Sequence, residues 1–186
     1  MGTRKDAIYC ELLVLRCKRG QESAFEELVR HWENRLFYYV RRLVRTEDEA
    51  WDVLQHTWLV VVKSIKSLKD PRSLPTWLYR IARNVAFSHL RVKYREQAYL
   101  DEAGDVSEVE AKDEGHPFED AEQVHRALDR ISLAHKEALT LYLLEDLSMD
   151  QMAEVLSIPL GTVKSRLHHA KRALRAVLEQ EGADRA

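Results

Sequence analysis

Leu147–Arg175, LSMDQMAEVLSIPLGTVKSRLHHAKRALR, reads as two short helices around a tight turn. Ser148 is placed to cap the first helix, and Gln151 three residues on completes a capping box over backbone N–H groups that otherwise lack partners. Met152, Val155 and Leu156 form an apolar stripe, and Ala153 is small enough to admit a second helix. At Ser157-Ile158-Pro159 the pattern breaks, because proline disfavours helical geometry in the residue before it yet suits the start of a new helix. In the second helix Val163, Leu167, Ala170, Leu174 and Val177 recur at helical spacing and define a buried side, so Lys164, Ser165, His168, Arg172 and Arg175 face outward. Five cations and no carboxylate fall between Leu160 and Arg175. A major groove admits one such helix, whose polar side chains reach base edges while its cations neutralise phosphates. Capped short helix, proline turn and one-signed charge together read as a helix-turn-helix that binds duplex DNA, rather than as an ordinary solvated face.

The whole chain of 186 residues suits one large domain or two small ones. With Gly 6 and Pro 4 against abundant Leu, Ala, Glu, Arg and Lys, the composition favours an all-α protein. Neither a membrane-length apolar run nor a secretory signal is present, so a cytoplasmic protein without membrane insertion is expected. Cys10 and Cys17, if they share a helix, are separated by roughly 10 Å of rise, beyond disulfide reach. No nearby histidine completes a metal site with them, and they read as buried small hydrophobes. HExxH, P-loop, glycine-rich nucleotide loop and Ser/His/Asp signatures are absent. The reading therefore expects no catalytic residue, no metal, no cofactor and no small-molecule substrate.

A net charge of −2 conceals a partition. Residues 1–95 carry 19 Lys+Arg against 11 Asp+Glu, residues 96–122 carry 1 against 11, and residues 123–186 carry 9 against 9. The middle stretch, EQAYLDEAGDVSEVEAKDEGHPFEDAE, is poor in large apolar side chains and punctuated by Gly104, Gly115 and Pro117. Such a segment buries too little to fold alone and reads as a flexible acidic linker, residues 96–120, between domains at 1–95 and 121–186. Its carboxylates are of the right sign to compete with phosphate for basic surfaces.

Four helices are expected in the first domain. The first runs from about Asp6 to Arg19 and stops at Gly20; the second runs from about Glu22 to Val44. Thr46 and Glu49 form a capping box for the third, which continues to about Lys66, with Glu47 and Asp48 near its positive end. Ser67–Ser73, SLKDPRS, is a loop by its Asp-Pro break, and a fourth helix starts near Leu74 with Pro75 tolerated in its first turn. Along that helix Leu74, Leu78, Ile81, Val85 and Val92 should point to the core. Tyr79, Arg80, Arg83, Phe87, Arg91 and Tyr94 interleave on the opposite arc. Cations track a phosphate backbone and aromatic faces stack on unpaired bases, although packing on a neighbouring helix better explains each aromatic taken singly. Nine cations and one anion, Asp70, lie between Lys63 and Arg95, so this stretch forms a basic surface in either case.

These residues carry a family resemblance. DVLQHTWLVVVKSI (Asp52–Ile65), followed after a short loop by TWLYRIARNVAFSHLR (Thr76–Arg91), resembles region 2 of bacterial extracytoplasmic-function sigma factors. LSMDQMAEVLSIPLGTVKSRLHHAKRALR resembles their region 4. The similarity spans almost the whole chain except the linker, and the WLYRIARN block separates it from LuxR-type regulators, which share only the helix-turn-helix.

The resemblance implies two small helical domains, a four-helix region 2 and a helix-turn-helix region 4, in a specificity subunit of bacterial RNA polymerase. In that family region 2 binds the clamp helices of the largest polymerase subunit and captures the non-template strand of the −10 element, and region 4 reads the −35 element as duplex and contacts the flap. Carried over, Asp52, Gln55, Trp58 and Leu59 belong to the polymerase-facing helix. The loop with Lys69, Asp70, Arg72 and Ser73 cradles a flipped −10 base, and Arg80, Arg83 and Asn84 lie near the melted strand. Thr162, Lys164, Ser165, Arg166, His168 and Arg172 read the −35 element or clamp its phosphates. Implied partners are core RNA polymerase, promoter DNA and an anti-sigma factor that buries the DNA-binding faces; EQEGADRA ends the chain with no expected further module. The linker would thread toward the polymerase active-site and RNA-exit channels.

The chain departs from the family pattern at four places. His56 stands where glutamate is usual, Trp58 where phenylalanine is usual, Leu133-Ala134-His135 lacks a common proline, and Ser157 replaces a turn glycine. Two rivals predict different behaviour. A stand-alone helix-turn-helix regulator needs a dimerising N-terminal domain and a palindromic operator. A protein-docking adaptor would use its charges only for solubility.

Overall fold

A computed structural model describes residues 4–102 and 126–183, and all the regular structure within them is helical. The chain divides into two compact units, Met1–Val109 and Glu110–Ala186.

In the first unit α1 spans Arg4–Lys18, α2 Glu22–Leu43, α3 Glu47–Ser64 and α4 Leu74–Glu102. Gly20 takes φ +80, the left-handed geometry that closes a helix, and its N–H bonds Cys17 O at 2.9 Å. Every third or fourth residue of α2 is buried, from Ala24 through Leu28, Trp32, Leu36 and Tyr39 to Leu43, so this helix forms the centre of the unit. The expected capping box of α3 is present: Thr46 Oγ1 accepts from Glu49 N–H at 3.2 Å, and the Glu49 carboxylate accepts from the N–H groups of Arg45 and Thr46. Glu49 also pairs with Lys93 of α4, fastening the start of α3 to its neighbour. Burial opposes ionisation there, but Lys93 and the backbone donors outweigh it and hold the Glu49 carboxyl below the usual range.

The third helix, expected to reach about Lys66, ends at Ser64 in a 3-10 turn, Ile65–Ser67; the loop expected at Ser67–Ser73 holds a second, Pro71–Ser73, and buried Ile65 and Leu68 anchor the stretch. The fourth helix corrects two sequence expectations. Tyr79 is fully buried, edge-on to Trp32 and Tyr39 at ring separations of 6.1 and 5.3 Å, and is no part of the outward arc. Val92, expected in the core, is 54% exposed, on the wall of an open groove between α3 and α4. Tyr94 has a helical backbone, and its side chain lies outside the described residues, as does the expected linker from residue 103 onward. Residues 96–102 form the end of α4.

In the second unit a helical stretch at 126–129 leads to α5, Leu133–Leu139, which Ser132 caps by accepting from His135 N–H at 3.4 Å. A serine thus caps the helix where the family proline is missing. A π-helical turn, Thr140–Leu144, follows, then α6, Met149–Leu156, and α7, Leu160–Ala183. Ser148 and Gln151 form the second capping box, at 3.2 and 2.9 Å. Leu139, Leu141, Met152, Val155, Leu156, Val163, Leu167 and Ala170 make the core. Among the described residues no helix is long and apolar enough to cross a membrane.

Candidate nucleic-acid interface

The turn between α6 and α7 depends on Ser157, which adopts φ 55, ψ 44 and so takes over the usual task of glycine. Left-handed geometry costs a β-carbon-bearing residue about 1 kcal/mol; here Ile158 N–H bonds Ala153 O and Pro159 O accepts from Thr162 and Val163, so the strained residue sits in a fully bonded turn. Beyond it Val163, Leu167 and Ala170 face the core, while Thr162, Lys164, Ser165, His168, Arg172 and Arg175 are exposed and Arg166 is half-buried. Leu174 and Val177 are only half-covered, later on the same side. The Ser165 hydroxyl donates back to Thr162 O at 3.1 Å, leaving its lone pairs as acceptors. Lys171 lies over the Tyr142 ring at 4.6 Å, on the side that leads back toward the core. One rigid helix therefore offers a continuous polar and basic face.

The basic surface of the N-terminal unit is composite. Arg80, Asn84 and Arg91 are exposed along α4, and the half-buried Arg83 guanidinium lies over Phe87 at 4.5 Å. At the start of α4 the Asp70 carboxylate grips Arg72 through a forked pair, Nη2 to Oδ2 at 3.0 Å and Nε to Oδ1 at 3.0 Å, and also accepts the Arg72 backbone N–H. Those contacts hold the Asp70 carboxyl below its ordinary range. The Ser73 hydroxyl donates to Asp70 O at 2.8 Å, so the loop is set by internal bonds with Lys69 exposed beside it. The fork means that Arg72 carries its own counter-ion, which charge counting along the sequence does not reveal.

On α3 the expected polymerase-facing residues divide. Asp52, Gln55 and Leu59 are exposed, whereas Trp58 turns toward α2, edge-on to Phe25 at 6.1 Å. His56 donates from Nδ1 to Asp52 O at 3.0 Å, a carbonyl being able only to accept, and its ring borders a groove of about 890 Å³ between α3 and α4. Leu59 and Val60 of α3 and Ile81, Val85 and Val92 of α4 line that groove, with Asn84 at its rim. The sequence reading places Trp51 and Val62 on this helix but misses their exposure, that of Val60 and the groove, although the signal was present. Five consecutive apolar residues, Trp58 to Val62, cover every side of a helix, so some must remain outside the core. It also saw no histidine close to the cysteines; the fold brings His31 of α2 beside Cys10 of α1.

Comparison with known proteins adds independent support. Residues 28–96 match the family described as Sigma-70 region 2, and residues 121–174 match Sigma-70, region 4. The RNA polymerase sigma-H factor of Pseudomonas aeruginosa is 30% identical over 90% of this chain and 92% of its own length. The ECF RNA polymerase sigma-E factor of Haemophilus influenzae is 32% identical over 88% and 92%, respectively. Among solved structures, the Bartonella quintana sigma factor RpoE, crystallised with the anti-sigma factor NepR, shares the fold with a TM-score of 0.72 at 24% identity, covering 83% of this chain and 96% of that one. CnrH, in complex with the cytosolic domain of CnrY, aligns with a TM-score of 0.69 at 23% identity over 92% and 98%.

Proposed function

Because this chain belongs to the extracytoplasmic-function group of the sigma-70 family, we propose that its two units divide promoter recognition by the state of the DNA. As a sigma factor it binds core RNA polymerase and promoter DNA and directs where transcription starts. In the division proposed, residues 1–95 dock on polymerase and hold the melted −10 strand, residues 121–186 read the −35 element as duplex, and residues 96–120, whose first seven extend α4, tether them. One observation supports this assignment: the outward arc of α4 pairs a cation with an aromatic, half-buried Arg83 over half-buried Phe87, whereas α7 contains no Phe, Tyr or Trp. Opening a duplex costs stacking energy, and a surface that restacks an extruded base returns part of it. Duplex reading needs only a rigid helix presented to a groove.

In this reading Lys69, Asp70, Arg72 and Ser73 shape the loop that receives the −10 base, and Arg80, Arg83 and Asn84 follow the strand. Thr162, Lys164, Ser165, Arg166, His168 and Arg172 meet the −35 element. Asp52, Gln55 and Leu59 face polymerase directly, and Trp58 supports that face from behind, against Phe25. The chain supplies recognition and the chemistry belongs to polymerase, so the protein is not itself an enzyme and works in the cytoplasm. An anti-sigma factor is the proposed regulator, in keeping with the partners of RpoE and CnrH.

The decisive experiment is transcription with purified core polymerase on a selected promoter, combined with permanganate mapping of unpaired thymines. Specific initiation with opening at −10 is expected. Binding to a palindrome without initiation would instead establish a stand-alone regulator.

A further inference from the structure

We infer that Asp6, Cys10 and His31 form a binding site for one thiophilic divalent cation of the zinc class, clipping α1 to α2. Asp6 and Cys10 stand one turn apart on α1 and so share a side; His31 comes from α2. One ligand atom from each, carboxylate O, thiol S and imidazole N, lies within 4.8 Å of the other two. Asp6 Oδ1 and His31 Nε2 are already 3.1 Å apart. In a tetrahedral zinc site neighbouring donor atoms are separated by roughly 3–4 Å, from metal–ligand distances of about 2.0–2.3 Å, so small side-chain rotations suffice. A thiolate with an imidazole and a single carboxylate selects zinc-like ions over magnesium or calcium, which prefer all-oxygen shells. Three protein ligands leave a fourth position for water or an incoming ligand.

Burial gives the site an inside and an outside. Cys10 is 6% exposed, whereas the side chains of His31 and Asp6 are 27% and 32% exposed, so an ion can enter from solvent and rest against a buried sulfur. The second independent observation is Trp32. Its indole N–H is out of contact with solvent and has no hydrogen-bond partner among the described residues. It sits beside Cys10 without the geometry of a hydrogen bond, and burial pushes the Cys10 thiol up despite that neighbour. A metal-bound thiolate is the anionic acceptor that this buried donor lacks, whereas a neutral thiol is a poor one. Binding exchanges the Cys10 thiol proton, which passes to solvent, for the cation.

An Asp–His hydrogen bond with a merely packed cysteine is the simpler reading, and the metal itself decides between them. Full-length protein stripped of metal is titrated with Zn(II) alone and, separately, with Co(II), following bound metal by mass spectrometry after gel filtration and the thiolate-to-cobalt charge-transfer band. One equivalent per chain and a thiolate band are expected. Cys10→Ser should abolish the band, and His31→Gln and Asp6→Asn should each weaken binding about tenfold or more, by analogy with the loss of a ligand's support. Cys17→Ser should leave binding unchanged. Absence of stoichiometric binding to the unaltered chain, or a band that survives Cys10→Ser, would overturn the inference; the unaltered chain provides that test even if a variant folds poorly.

Discussion

The exposed face of α7 belongs to one helix, and the basic face of the N-terminal unit is put together from a loop, α4 and the packing behind them. On α7 a single period assigns each residue to one side or the other: Val163, Leu167 and Ala170 are inside, and Lys164, His168 and Arg172 are outside. On α4 the same reasoning misplaces Tyr79 and Val92, because three other helices compete for its surface. A face set by one helix can be read by counting, whereas a face set by several depends on which neighbour arrives.

The largest expected effect separates core from platform. Tyr79→Ala should destabilise the first unit by about 3–5 kcal/mol, as aromatic truncations in a core do, read in urea unfolding followed by circular dichroism. Native stability combined with failed strand opening would return Tyr79 to the DNA-facing arc. Next comes the Glu49 anchor. Glu49→Gln weakens both the cap and the tie to Lys93, at a cost of about 0.5–2 kcal/mol. Since the folded carboxyl is held below its ordinary value, its contribution is complete above the unfolded pKa, near 4.3, and is lost as pH falls through the lower folded value. The variant should therefore show a flatter stability profile below about pH 5; an unchanged acid limb would remove Glu49 from that role.

A smaller pair of effects compares the two faces directly. Arg83→Ala is expected to slow strand opening about tenfold, in line with the worth of a stacking contact, while isolated duplex binding by α7 is retained. Arg172→Ala should lower the salt dependence of −35 binding by about one in the log–log slope if it meets phosphate, or change base preference if it meets a base edge. Permanganate reactivity and filter binding on one promoter distinguish them, and identical phenotypes would break the proposed division. The smallest effect concerns the fork. Asp70→Asn releases Arg72 from its internal counter-ion, so the salt dependence of holoenzyme binding should steepen by about one. No change would mean that Arg72 does not approach the strand.

Much of the architecture was legible from residues alone. Both capping boxes, the proline turn, the stop at Gly20 and the inward side of α7 follow from local hydrogen bonding and a fixed helical period, which act between residues a few positions apart. That Ser157 substitutes for glycine was also visible as a departure, but only the bonded turn shows how its left-handed geometry is tolerated. Tertiary structure decided what lies between elements: the Asp70–Arg72 fork that discounts a cation, the Lys93 tie to Glu49, the apolar groove between α3 and α4, and the meeting of Asp6 and Cys10 with His31. Sequence spacing sets which side of its own helix a residue occupies. It does not set which residue of another helix comes within a few ångströms, because that distance is fixed by how large side chains such as Trp32 and Tyr79 fill the space between helices.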